Sequence, residues 1–267
     1  MEPSDVLLDL GAEHEALDRV LADLPPDRWA TPTPSAGWTV AHQIAHLTYF
    51  DRAATQAIVD PAGFAEARDA LVRAVLEEGT DPDAFTLGEL LALQPTELLA
   101  AWRAGRAGLL EAGRGLSAGD RVEWYGPSMG ATSFLTARLM ETWAHGQDVV
   151  DALGADRESS DRLAHIARLG FITRGWSYAN RGLEPPATAV RVELTLPSGQ
   201  VLELGEPDAP EVVRGSAEDL CLVVTQRRHV DDTALEVEGA AAREWMELAQ
   251  AFAGGATGGP PPGGRPG

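Results

Sequence analysis

Apolar positions recur at helical spacing through the first two thirds of the chain and then give way to alternation. Leu7, Leu8, Leu10, Leu17, Val20 and Leu21 predict an amphipathic helix over 5–23, which Pro25-Pro26 ends. The segment Thr31-Pro-Thr-Pro-Ser-Ala-Gly37 reads as a rigid loop, and a second helix is predicted over 38–59. Residues 62–92 are mixed and predict short helices. A helix over 95–116 carries Leu98, Leu99, Trp102, Leu109 and Leu110 on its apolar side. A polar, Gly-rich connection at 117–130 leads to a long helix over 131–153, closed by Gly154, and a further helix is predicted over 158–181.

After Pro185-Pro186 the period changes from helical to two. Val190-Arg-Val-Glu-Leu-Thr-Leu196 alternates as a half-buried strand does, Pro197-Ser-Gly199 turns, and Val201–Leu204 completes a hairpin. Val212-Val213 and Leu235–Glu238 predict further strands. Ser216, followed by Glu218 and Asp219, predicts the capped start of a helix through Gln226, and a last helix spans 240–252. The expected architecture is mainly α: a helical domain at 1–184, a small α+β domain at 187–253, and a Gly/Pro tail at 254–267, too poor in apolar groups to pack and expected to be disordered.

Charge narrows the function classes. With 41 acidic against 21 basic side chains the formal charge is −20, which repels polyphosphates and anionic lipid, so nucleic-acid and membrane partners are not expected. No run approaches the ~18 apolar residues of a membrane span. The start Met-Glu-Pro-Ser-Asp lacks a basic segment before an apolar run, so a cytoplasmic protein is expected. The single cysteine, Cys221, excludes an intrachain disulfide and sits in an apolar stretch that suits packing.

Candidate chemistry lies on two predicted helices. Glu141 and His145 are four residues apart, and Asp148 shares their stripe with Phe134, Ala137 and Ala152. A carboxylate on a stripe that faces into a bundle is costly unless a cation compensates it, and a divalent metal does so directly. The 38–59 helix offers His42 and His46, also four apart, on a face with Trp38, Tyr49 and Ala53. Spacing alone leaves either, or both, as a third ligand. Two imidazoles and one carboxylate would leave a metal open positions for water or substrate.

These residues carry a resemblance. Gly37-Trp38-Thr39-Val40, then Ala45-His46-Leu47 and Phe50-Asp51, resemble the first metal motif of the DinB-like superfamily. Met140-Glu141, His145 and Asp148 resemble the second motif of its mycothiol-dependent maleylpyruvate isomerase branch. Gly215-Ser-Ala-Glu-Asp-Leu and Thr225-Gln-Arg-Arg are similar to that branch's small sterol-carrier-like domain, and Ala249-Gln-Ala-Phe-Ala-Gly before a Gly/Pro-rich end resembles an actinobacterial metal-binding subgroup.

The resemblance implies a four-helix bundle followed by a sterol-carrier-like domain. It implies His46, Glu141 and His145 as ligands of a divalent metal, usually zinc, with His42 and Asp148 behind them. The donor set alone leaves nickel and iron open. An arginine of the small domain, Arg227 or Arg228, would help hold an anionic substrate, and Tyr49 joins the catalytic candidates. The implied chemistry is that of a transferase or isomerase in which the metal lowers the pKa of the thiol of mycothiol, which then acts on an electrophilic small molecule. A non-catalytic metal- and ligand-binding protein and a thiol-independent Lewis-acid enzyme are the competing expectations, with a monomer or homodimer in each case. Gly126-Pro-Ser128-Met-Gly130 matches the bare string of a nucleophile elbow, but lacks the preceding strand and surrounding sheet that motif needs. His14, His165 and His229 have no ligand-like companions in sequence, and Trp143 and Trp176 are expected in the core.

Overall fold

The computed structural model describes residues 2–264 and divides into two compact units, 1–157 and 158–267. The first is helical: α1 (Pro3–Leu21), α2 (Val40–Val59), α3 (Pro61–Leu76), α4 (Pro82–Leu91), α5 (Pro95–Gly113) and α6 (Ala131–Leu153), with a short 3₁₀ turn at Pro26–Ala30. Helices α1, α2, α5 and α6 pack into a four-helix bundle, and α3 and α4 lie against α2. Start signals sit where local chemistry supplies them. Asp60 and Asp81 accept from Gly63 and Ala84, and proline occupies the first turn of α1, α3, α4 and α5. Gly154, at φ 60°, ends α6 in the left-handed conformation that glycine adopts without strain. Leu17, Ile44, Leu47, Leu98 and Trp102 belong to one buried cluster of the bundle.

The 117–130 connection, expected to be irregular, contains a two-stranded antiparallel ribbon, β1 (Arg121–Val122) with β2 (Met129–Gly130). Ser128 lies in this ribbon and accepts from Arg121 Nε at 3.1 Å, so the Gly-x-Ser-x-Gly string is a hairpin end.

In the second unit, α7 (Leu163–Ile172) and α8 (Arg174–Ala179) precede a four-stranded mixed sheet of β3 (Val190–Thr195), β4 (Val201–Leu204), β5 (Glu211–Ser216) and β6 (Glu236–Glu238). Its order is β4-β3-β5-β6, with β3 and β5 parallel and the other neighbours antiparallel. Helix α9 (Ala217–Val224) follows β5, capped by Ser216 Oγ accepting from Asp219, and α10 (Ala240–Leu248) follows β6.

Four expectations need correction. The helix predicted over 158–181 breaks at Thr173, whose hydroxyl bonds to the carbonyls of Leu169 and Gly170 and ends α7. The unit boundary falls at 157/158 and not near 184, because α7 packs on α9 and α8 on α10. Trp176, expected in the core, is exposed and donates to Phe252 O. The tail expected to be disordered is tied down over its described part: Thr257 and Gln226 exchange bonds of 2.6 and 2.9 Å, and Gly263 N donates to Asp232. Arg265, Pro266 and Gly267 lie outside the described residues.

Candidate metal centre

Helices α2 and α6 run antiparallel and meet through a ladder of polar side chains. Gln43 bonds His145, His46 faces Glu141, and Asp51 bonds Arg138. The middle of this ladder is the cluster that matters chemically: one ligand atom each from His46, Glu141 and His145 lies within 4.8 Å of the others. Glu141 Oε2 is 3.1 Å from His145 Nε2 and 3.8 Å from His46 Nε2. All three side chains are half-buried, which leaves the cluster a route to solvent.

Burial lowers the His46 imidazole to about 4, with repulsion from His145 adding to this and Glu141 opposing it. His46 is therefore neutral at physiological pH, as a nitrogen ligand must be. Burial pushes the Glu141 carboxyl upward, but hydrogen bonds and charge from His145 and His46 outweigh it and hold the group well below the usual carboxylate range. Two basic nitrogens and an ionised carboxylate converging from two rigid helices fit a first-row divalent ion.

The orientation of His145 comes from a residue the sequence did not single out. Gln43, fully buried, donates from Nε2 to Thr33 Oγ1 at 2.9 Å and to Asp148 Oδ2 at 3.4 Å. Its Oε1 therefore faces His145 Nδ1, 2.6 Å away, and accepts that nitrogen's proton. Nε2 of His145, the other ring nitrogen, faces Glu141 Oε2 at 3.1 Å. Asp148 supports Gln43 in turn: it is fully buried, accepts from Ser35 Oγ at 2.9 Å, and accepts from Gln43 Nε2. Gln43 lies three residues before His46, on the same helical face, and that spacing was the available signal.

His42 has a different use. Its Nδ1 accepts from Thr39 N at 3.3 Å, closing a capping box at the start of α2. Aromatic rings surround the two imidazoles of the cluster instead. Trp38 lies 5.2 Å from the His46 ring and nearly parallel to His145 at 5.9 Å, and its Nε1 is pinned by Asp83 at 2.8 Å. Phe50 sits 4.5 Å from His46 and 5.5 Å from Tyr125. Tyr49 packs edge-on to Phe50 and bonds Tyr125, whose phenol is pushed upward by burial first and by that bond second.

Arg227 and Arg228 belong to the second unit, just beyond α9. Arg227 donates to Thr225 O at 2.7 Å, and Arg228, buried, donates to Arg227 O at 2.8 Å. Cys221 is buried, with its thiol pushed well upward by burial and donating to Leu163 O. His14 and His165 are buried, Trp143 is in the core, and His229 accepts from Asp231 N.

A helical bundle with a His–Glu–His cluster between two of its helices, in a chain with a second α+β unit, defines the class of protein. Within that class, residues 10–150 match the family described as the mycothiol maleylpyruvate isomerase N-terminal domain, and the chain belongs to that family. An uncharacterized protein of Mycobacterium tuberculosis, from strains CDC 1551 / Oshkosh and ATCC 25618 / H37Rv, is 48% identical over 253 residues, covering 95% of this chain and 97% of the relative. Two crystal structures of the mycothiol-dependent maleylpyruvate isomerase each align over 85% of this chain and 90% of their own. A histidine-to-alanine mutant gives a TM-score of 0.57 at 19% identity, and the other gives 0.56 at 20%. At that identity the likeness is one of fold. No helix among the described residues is long and apolar enough to cross a membrane.

Proposed function

We propose that the chain is a metal-dependent enzyme, a transferase or isomerase that uses a small thiol, mycothiol, to act on an electrophilic small molecule. The observation that carries this reading is the convergence of His46, Glu141 and His145 within 4.8 Å, in a chain of a family whose description names mycothiol and maleylpyruvate isomerase. When bound, a divalent ion would lower the pKa of a thiol or water beside it. Zinc is the proposed ion; nickel and iron accept the same donor set.

The chain's own residues supply the rest. His46 and His145 would hold the ion through ring nitrogens and Glu141 through a carboxylate oxygen. Gln43 and Asp148 keep His145 in one tautomer and one orientation. His42 and Asp148 are engaged by Thr39 and by Ser35 and Gln43, so the ligand set stays at three, which favours a reactive site over a closed structural one. Trp38 and Phe50 shield the imidazoles from water. The Tyr125 hydroxyl, paired with that of Tyr49, stays protonated, and the pair would serve to orient a substrate. Arg227 or Arg228 would hold an anionic group, and alanine at the acting position would raise KM. A cytoplasmic location accords with use of a reduced thiol.

The test combines metal analysis with turnover. The purified chain should carry about one divalent ion, the number a single three-ligand site holds, and His46→Ala should lose it. Turnover of maleylpyruvate or another activated electrophile should require added mycothiol. Metal content unchanged after joint replacement of His46, Glu141 and His145 would sink the site. Full turnover without thiol would leave a Lewis-acid enzyme, and metal without turnover a binding protein.

A further inference from the structure

One buried ion pair next to the cluster has no part in the chemistry above. Arg138 on α6 donates from Nη2 to Asp51 Oδ1 on α2 at 2.8 Å, with the two side chains 4% and 0% exposed. Arg138 lies three residues before Glu141, and Asp51 five residues after His46. The pair therefore joins the two helices that carry the ligands, about one turn beyond them. At the other end of the ligand set, Gln43 joins the same helices through His145 at 2.6 Å.

Stability does not account for burying these charges. Desolvation offsets much of the attraction in such a pair, and well-packed apolar side chains of similar size are often at least as stable. A guanidinium–carboxylate bond gives what apolar packing does not: one direction and one register. A slip of α2 against α6 by one helical turn, about 5.4 Å, would break it. The same slip would carry His46 away from Glu141 and His145. The surroundings leave Asp51 to this one task. His14 of α1 faces it, with Nε2 3.7 Å from Oδ2, but burial lowers that imidazole to about 4, so it stays neutral. From α5, Gly105 meets Asp51 without a side chain: a Cβ there would lie 4.0 Å from Asp51 Cβ.

We propose that Arg138 and Asp51 are positioning residues of the metal centre, fixing the register of α2 against α6 at which His46 meets Glu141 and His145. This rests on the reading of that cluster as a metal site.

Zinc affinity of the full chain, measured by competition with a chelating indicator, tests it alongside unfolding of the metal-free protein. Asp51→Leu with Arg138→Met should keep a cooperative fold and bind zinc about tenfold more weakly or worse, the scale of loss for residues that orient ligands. Arg138→Lys keeps the charge but loses the planar fork, and should weaken binding several-fold. The comparison is Asp18→Leu with Arg106→Met, which removes a buried pair between α1 and α5, neither of which carries a ligand. It should leave affinity within about twofold of the wild type, whatever it does to stability. Wild-type affinity in both Arg138 variants would overturn the proposal, as would an equal loss in the α1–α5 comparison. If the apolar pair does not fold, undiminished affinity in Arg138→Lys is enough to overturn it. Equal zinc binding by wild type and His46→Ala would instead remove the metal-site reading, so the two failures are distinguishable.

Discussion

Nδ1 of His145 lies 2.6 Å from Oε1 of Gln43, and that contact determines which imidazole nitrogen is free to bind. The amide cannot turn over without losing its bonds to Thr33 and Asp148, so the ring is held in the tautomer with Nδ1 protonated. Gln43→Ala frees the ring to rotate and to exchange tautomers. The expected result is a divalent-metal affinity about 10- to 100-fold weaker, the usual cost of removing a ligand's hydrogen-bond partner. Helix content should be unchanged. Calorimetric titration with zinc, paired with circular dichroism, checks both. Undiminished affinity would show that the ring needs no such support.

His14 should make the stability of the chain pH-dependent. Its ordinary value of 6.5 is lowered to about 4 by burial, against the attraction of Asp51. A lowered histidine favours the unfolded state once protons are available. The contribution is complete above pH 6.5, is lost as pH falls toward 4, and is constant below that. A shift of this size corresponds to roughly 3 kcal/mol. Metal-free wild type should therefore lose more stability between pH 7 and 4.5 than His14→Met does, by roughly 2–3 kcal/mol. Denaturant unfolding at the two pH values measures the difference, and equal losses would mean that His14 titrates normally.

The Glu141–His145 half of the candidate site was legible because the two residues share a helix, where a spacing of four fixes a common face. The choice between His42 and His46 was not, since both satisfy the same spacing. The resemblance favoured His46, and the structure engages His42 in a capping bond from Thr39. The partners of Gln43 and the Arg138–Asp51 pairing were not legible for another reason: they depend on the antiparallel register of α2 and α6, and periodicity within one helix shows a shared face but not what lies across from it. The bundle helices were readable from apolar spacing. The break at Thr173 was not, because a hydroxyl bonding back to Leu169 looks in sequence like an ordinary helical threonine.

Thr257 holds the C-terminal segment by its backbone and its side chain together. Its hydroxyl donates to Gln226 Oε1, its carbonyl accepts from Gln226 Nε2 and from Arg181, and its amide donates to Gln250. Gln226 adopts φ 60°, a left-handed conformation that costs a non-glycine residue roughly 1–2 kcal/mol, which these bonds help to offset. Thr257→Val should lower stability by about 0.5–1.5 kcal/mol, the net worth of one hydrogen bond. Removal of residues 256–267 should cost more and speed amide exchange around Gln226. Thermal unfolding and hydrogen exchange read these effects, and an unchanged exchange rate at Gln226 after truncation would mean that the segment holds nothing in place.

Gly170 sets how closely α7 approaches α9. A Cβ at this position would fall 2.8 Å from both Cγ atoms of Val224 and 2.9 Å from its Cβ, well inside contact distance. Valine is stiff about χ1, so it cannot swing aside as a longer side chain would. Val224 is 1% exposed, so the helices themselves would have to part. Gly170→Ala should therefore destabilise the second unit by about 1–3 kcal/mol despite alanine's better helix propensity. The effect should be specific to that contact. Val224→Ala alone leaves a cavity and costs stability, whereas the double substitution removes both Cγ clashes but keeps the close Cβ–Cβ approach, and should recover only part of the loss. A thermodynamic cycle over the four proteins would show this as a coupling of about 1 kcal/mol or more, within the range for residues in direct contact. Additive single-site effects would mean that α7 and α9 separate freely at this point.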